Sequence, residues 1–184
     1  MATRLLILIT IMVFSLTAMT TSAAQDSELE AGLLKTVFIY NFAKFTRWPD
    51  NQSKTMQNAL SLCYIGDDNL TYNLQKLAGR VLRGKPIKAV KVIDELKLSN
   101  CHVLYLAKST QNRIPSILRS IQAKPILTVS EIERFSQNGG MIELTQDRDK
   151  LRFIINLNAT RPSGLKLSAR LLDLAIIIDD EAQQ

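Results

Sequence analysis

The sequence predicts an α/β layered domain built on a mostly parallel sheet. Short apolar runs at Leu60–Gly66 (LSLCYIG), Cys101–Leu106 (CHVLYL) and Ile126–Val129 (ILTV) have the length of buried strands. Segments with helical spacing or capping residues lie between them. A further pair, Met141–Leu144 and Leu151–Leu157, flanks the polar turn Thr145–Lys150, the pattern of an antiparallel hairpin at one edge. Strands that alternate with helices form a sheet whose crossovers are helical.

The chain opens with Arg4, the apolar run Leu5–Leu16, and small or polar residues ending Thr21-Ser22-Ala23-Ala24. This is the three-part pattern of a secretory signal peptide. The apolar run is shorter than the roughly 20 residues that a membrane span needs. Cleavage is expected after Ala24, with Ala23 as the alternative cut, so residues 1–24 are the signal and 25–184 a single domain. An uncleaved N-terminal anchor is the competing reading. No cysteine lies near the cut, which argues against a lipoprotein anchor.

Leu33–Trp48 reads as an amphipathic helix, because Leu34, Val37, Phe38, Asn41, Phe42, Phe45 and Trp48 recur at steps of three and four. Pro49 ends it. Asp50–Asn58 is a polar loop. After the first strand, Asp67 and Asp68 open a helix through Leu77, closed by Gly79. Arg80–Val92 holds one or two short strands around Gly84-Lys85-Pro86, and Asp94–Leu98 is a helical turn. Ser109 or Thr110 caps a helix to about Ile121, with Pro115 in its first turns. Ser130 begins a short helix with Glu131 and Glu133 at its positive end. Asn138-Gly139-Gly140 is a tight bend, and Ser163-Gly164 starts a final helix, Leu165–Ile178.

The 184 residues are 46% hydrophobic, enough for a real core, and carry a net charge of +6, or +5 once Arg4 is removed. The densest basic cluster (Arg80, Arg83, Lys85, Lys88, Lys91) lacks interleaved aromatics, so it reads as a solvated face and gives no support to nucleic-acid binding. Both cysteines, Cys63 and Cys101, lie in the exported part and read as one disulfide; two buried free thiols are the alternative. His102 is the only histidine and has no CxxC partner for a zinc site, so it is taken as a core or strand-edge residue. Asp67-Asp68 reads as a helix cap in preference to a magnesium site. There is no GxSxG elbow, HExxH or phosphate loop. The expectation is therefore no catalytic residue, no metal and no cofactor.

Polar residues on otherwise apolar elements carry more information. Asn41 and Lys44 interrupt the first helix beside Tyr40 and Trp48, Asn156 lies within a strand, and Arg161 follows it. Internal hydrogen bonding accounts for such residues in one reading. In the other, Asn41, Lys44, Trp48, Asn156 and Arg161 line a surface for a partner or ligand.

Six segments occur in order: Val37–Pro49 (VFIYNFAKFTRWP), Leu62–Asp67 (LCYIGD), Cys101–Leu106 (CHVLYL), Ile126–Ser130 (ILTVS), Gly139–Leu144 (GGMIEL) and Arg152–Leu157 (RFIINL). Together they resemble the YfiR-like family of periplasmic proteins. The resemblance implies a three-layer α/β sandwich in the periplasm, and a regulator that is not an enzyme. It implies repression of an inner-membrane diguanylate cyclase through its periplasmic sensory domain, and so control of cyclic-di-GMP and biofilm. An outer-membrane lipoprotein would be a second partner, and a homodimer is compatible. The family places a disulfide where Cys63 and Cys101 fall. Some members carry a second cysteine pair near the glycine bend; Ser136–Leu144 has none here. A small-molecule-binding module that feeds a sensor kinase or transport system is the alternative function.

Overall fold

The computed structural model describes residues 20–50, 58–148 and 150–179. The expected signal segment up to residue 19, and residues 51–57 of the polar loop, lie outside the described residues. The first helix, α1, spans Thr20–Phe45. It ends earlier than its apolar spacing predicts, because Thr46–Arg47 leave it as a short strand, β1, paired antiparallel with β9 (Lys166–Leu167). Thr46 Oγ1 donates to the Phe42 carbonyl at 2.7 Å, which satisfies one of the acceptors freed at the helix end.

The main sheet contains β2 (Leu60–Ile65), β3 (Val81–Leu82), β4 (Lys85–Lys91), β5 (Val103–Leu106), β6 (Leu127–Ser130), β7 (Ile142–Asp147), β8 (Lys150–Asn156) and β10 (Ile176–Ile178). Its order is β10-β8-β7-β6-β5-β2-β4-β3. Strands β4, β2, β5, β6 and β7 run parallel, with antiparallel pairs at β3–β4 and β7–β8. The expected hairpin is thus present near one edge, with β10 lying outside it, parallel to β8.

Alternation along the strands divides the core into two faces. Leu60, Leu62 and Tyr64 of β2, with Val103 and Tyr105 of β5, pack with Ile39 and Phe42 of α1 and with Leu70 and Leu74 of α2 (Asn69–Gln75). Cys63, Ile65, Leu104 and Leu106 face the other way, onto Ile114 and Ile117 of α3 (Ile114–Ser120) and onto Phe135. Helices on both sides of one sheet make the three layers. Cys63 and Cys101 form a disulfide inside the second face, with their Cα atoms 5.7 Å apart.

Several expectations fail in instructive ways. The final helix Leu165–Ile178 is broken into β9, a single turn α4 (Ala169–Leu172) and β10. Ser168 accepts from Leu171 N and starts a new turn, and the β-branched run Ile176–Ile178 takes the open edge beside β8. Ser130 does not open a helix; it ends β6, where its Oγ donates to the Leu106 carbonyl and accepts from Ile132 N. The segment after it is a series of turns. Neither Ser109 nor Thr110 caps α3, which follows a 3-10 turn over Lys108–Arg113 and has Pro115 in its own first turn.

His102 is buried, and its Nδ1 accepts from Ser61 N at 2.9 Å. Burial, helped by the charge of Lys85, lowers its pKa from 6.5 to about 4. The unfolded chain therefore binds the additional proton between these values. Stability is complete above about pH 6.5 and declines as the pH falls toward 4, by about 2 kcal/mol once solvent screening is discounted. Urea unfolding followed at Trp48, the single tryptophan, should show that slope. His102→Gln, which keeps an acceptor for Ser61, should flatten it.

Candidate interaction surface

The carboxyl ends of the parallel strands are where open α/β sheets most often bind ligands, at the point where strand order reverses. Here that point lies between β2 and β5, and it is filled. A Cβ on Gly66 would stand 2.4 Å from Ser109 Oγ and 2.8 Å from Ala107 Cβ, and Gly66 has φ +90°. Asp68 caps α2, accepting from Thr71 N at 2.7 Å, and its other oxygen accepts from the Tyr105 hydroxyl at 2.9 Å. Burial, with the negative charges of Glu131 and Asp68, pushes the Tyr105 hydroxyl well above its usual pKa, so it remains a donor. Lys35 pairs with Glu131, and Lys91 with Asp67 at 2.7 Å. The two aspartates thus serve as a cap and an ion pair. Among the described residues, no group of three or more His, Cys, Asp or Glu is placed to hold a metal ion.

A cleft lies at the opposite end, at the starts of β6 and β7. It holds about 500 Å³ and is lined by Leu118, Ile126, Thr128, Gly139, Met141 and Asn156, among others. One wall is the turn that follows Glu131, and two buried side chains hold that turn in place. Glu143 of β7 accepts from Arg134 N at 3.1 Å, Ser136 N at 3.0 Å and Ser136 Oγ at 2.6 Å. Asn156 donates through Nδ2 to the Ser136 carbonyl at 2.7 Å and accepts at Oδ1 from Ala159 N at 3.1 Å. Gly140 completes the turn: a Cβ there would lie 2.2 Å from the buried ring of Phe135. Arg161, just beyond the cleft, makes a two-pronged ion pair with Asp179 at 2.8 and 2.6 Å.

The five surface residues expected from sequence fall into two groups. Asn156 lies in the cleft with Arg161 beside it. Asn41, Lys44 and Trp48 lie on or just after α1, away from that cleft. Asn41 is half-buried and Lys44 exposed. Trp48 is 4% exposed and meets the His102 ring edge-on at 6.4 Å. Lys44 instead borders a second, smaller hollow with Arg47, Arg83 and Lys166. Sequence reading missed this grouping because it assigned Arg83 to the basic run of β4. It missed Glu143 because a single acidic residue in a strand looks like a solvent-facing one.

The pattern that defines YfiR/HmsC-like proteins matches residues 33–176. The chain belongs to the YfiR/HmsC-like family. The match takes in every strand of the main sheet up to the start of β10 and both residues of the disulfide. A solved structure described as a conserved domain protein from Vibrio cholerae O1 biovar El Tor aligns at 10% identity and a TM-score of 0.48. That alignment spans 71% of this chain and 58% of the other. YfiR/HmsC-like proteins are periplasmic, and they are regulators rather than enzymes. For this YfiR/HmsC-like chain, no helix among the described residues is long and apolar enough to cross a membrane.

Proposed function

We propose that this protein is a periplasmic repressor that docks on the sensory domain of an inner-membrane diguanylate cyclase and holds it in its inactive state. The family match over residues 33–176 carries the reading. The geometry supports it. The polar groups where α/β enzymes usually bind substrate are used up in caps and ion pairs, and the disulfide ties β2 to the start of β5 across the centre of the sheet. A repressor of this kind needs only to bind the off-state more tightly, and a preference of about 3 kcal/mol shifts the balance more than 100-fold. Deleting the gene should raise cellular cyclic-di-GMP and biofilm, and restoring it should lower both. Unchanged levels in a strain that expresses the protein would count against the reading.

The cleft at Asn156 favours a second reading, a module that binds a small molecule and passes the signal on. Its volume of about 500 Å³ is in the range of ligand pockets, and its lining mixes apolar side chains with a few fixed polar groups. A thermal-shift screen separates the two readings, since a metabolite that occupies the cleft raises the melting temperature by an amount that grows with the logarithm of its concentration above Kd.

A further inference from the structure

Four cations surround one hollow of about 270 Å³ between the end of α1, the β1–β9 ribbon and the tip of the β3–β4 hairpin: Lys44, Arg47, Arg83 and Lys166. Among the described residues no carboxylate lines it. Among the described residues none of these four forms an ion pair, a state they share with other lysines and arginines such as Lys88 and Arg152, so it is their grouping that distinguishes them. All four are exposed, and two further features set the grouping apart from an ordinary solvated face. Arg47 and Lys166 are register partners across an antiparallel ribbon, an arrangement in which like charges repel. Arg83 occupies the first position of a two-residue turn with Gly84, at φ +51° and +76°, where asparagine, aspartate or glycine is the usual choice. That strained position brings Arg83 Nη2 to the Lys44 carbonyl, to which it donates. The hairpin is in turn pinned to α1 by the Tyr40 hydroxyl, which donates to the Val81 carbonyl at 3.1 Å. The floor is apolar, made by Phe45 and Leu167.

We propose that this hollow is a binding site for a phosphoryl group. A carboxylate has one charge and two oxygens, and one arginine fork satisfies it. Four cations arriving from three separate elements match a tetrahedral oxyanion, whose oxygens point in different directions. Binding would relieve the Arg47–Lys166 repulsion and account for the strained turn at Arg83. The group could come from free phosphate or from the headgroup of an anionic phospholipid, and the chemistry of recognition is the same. This inference goes beyond the regulatory reading and does not depend on it.

The test uses the full mature chain at low ionic strength with two probes: inorganic phosphate, followed by calorimetric titration, and vesicles of phosphatidylcholine with or without phosphatidylglycerol, followed by co-sedimentation. The wild type should bind phosphate saturably, or bind the phosphatidylglycerol vesicles selectively. The first result identifies a free anion as the source and the second a lipid. Arg47→Gln combined with Lys166→Gln, and separately Arg83→Gln, should weaken the observed binding at least tenfold. Lys88→Gln combined with Arg152→Gln, which removes two exposed cations elsewhere, should leave it within about twofold. Without ligand the Arg47→Gln/Lys166→Gln variant should melt no lower than the wild type, since it removes repulsion and breaks no ion pair, and Arg83→Gln, which gives up only the exposed bond to the Lys44 carbonyl, should melt within a few degrees of it. Phosphate should raise the melting temperature of the wild type but not theirs. No saturable binding to either probe, equal binding by the hollow variants, or preference for a polyglutamate peptide over both probes would each overturn the proposal.

Discussion

Opening the Cys63–Cys101 bridge should lower the unfolding free energy by about 4 kcal/mol. The bond closes a loop of 38 residues, and in the chain-entropy account a loop of that size restricts the unfolded state by roughly this amount. Both cysteines lie in the core face beneath α3, at 3% and 1% exposure, so Cys63→Ala/Cys101→Ala leaves small cavities in addition to the same loss. For a domain of this size, the melting temperature should fall by roughly 10 °C. Urea unfolding of the oxidised and reduced protein, followed at Trp48, measures the difference directly. An unchanged midpoint after verified reduction would show that the bridge contributes nothing to the scaffold. The consequence reaches function, because β2 and β5 are the centre of the sheet, and every surface described above hangs from it.

Glu143→Ala should cost about 3–5 kcal/mol. The carboxylate is buried and accepts three hydrogen bonds, so its removal leaves two amide N–H groups and the Ser136 hydroxyl without their acceptors. Each orphaned buried donor costs roughly 1–3 kcal/mol. Arg134 sits at φ +61°, a conformation the carboxylate helps to impose, and the turn should relax once that bond is gone. Hydrogen exchange should show the amides of Arg134 and Ser136 losing protection far more than those of β2 or β5. The wall of the Asn156 cleft moves with that turn, so any ligand of the cleft should bind more weakly in the variant. Exchange rates equal to the wild type would mean that the turn is held by other contacts, chiefly the Asn156–Ser136 bond.

The centre of the sheet was legible in the sequence for a physical reason. Strands buried on both faces must be continuously apolar, and LSLCYIG, CHVLYL and ILTV can be little else. The Asp68 cap was legible because capping is local: the acceptor and its donor, Thr71 N, are three residues apart. The C-terminal region was not. Leucine and isoleucine at Leu165–Ile178 satisfy a helical stripe as well as short strands, and what decides between them is the vacant edge of β8, a tertiary fact. The turn after Glu131 was misread because its anchors, Glu143 and Asn156, come from two later strands. The cationic hollow was hidden for the same reason. Its four residues come from the end of α1, the β1–β9 ribbon and the β3–β4 turn, and along the chain Lys44 and Arg83 stand out for unrelated reasons, Lys44 on the first helix and Arg83 in the basic cluster.

The proposed repression of a membrane cyclase by this YfiR/HmsC-like protein can be reconstituted outside the cell. The most direct measurement places a candidate diguanylate cyclase in lipid vesicles with its sensory domain outward and its catalytic domain supplied with GTP inside. The oxidised mature protein is then added to the outside. The account predicts that cyclic-di-GMP synthesis falls in a saturable way with added protein, and that the reduced protein inhibits less. Synthesis that continues unchanged when the protein is verifiably bound, or no binding to any cyclase encoded by the same cell, would contradict it.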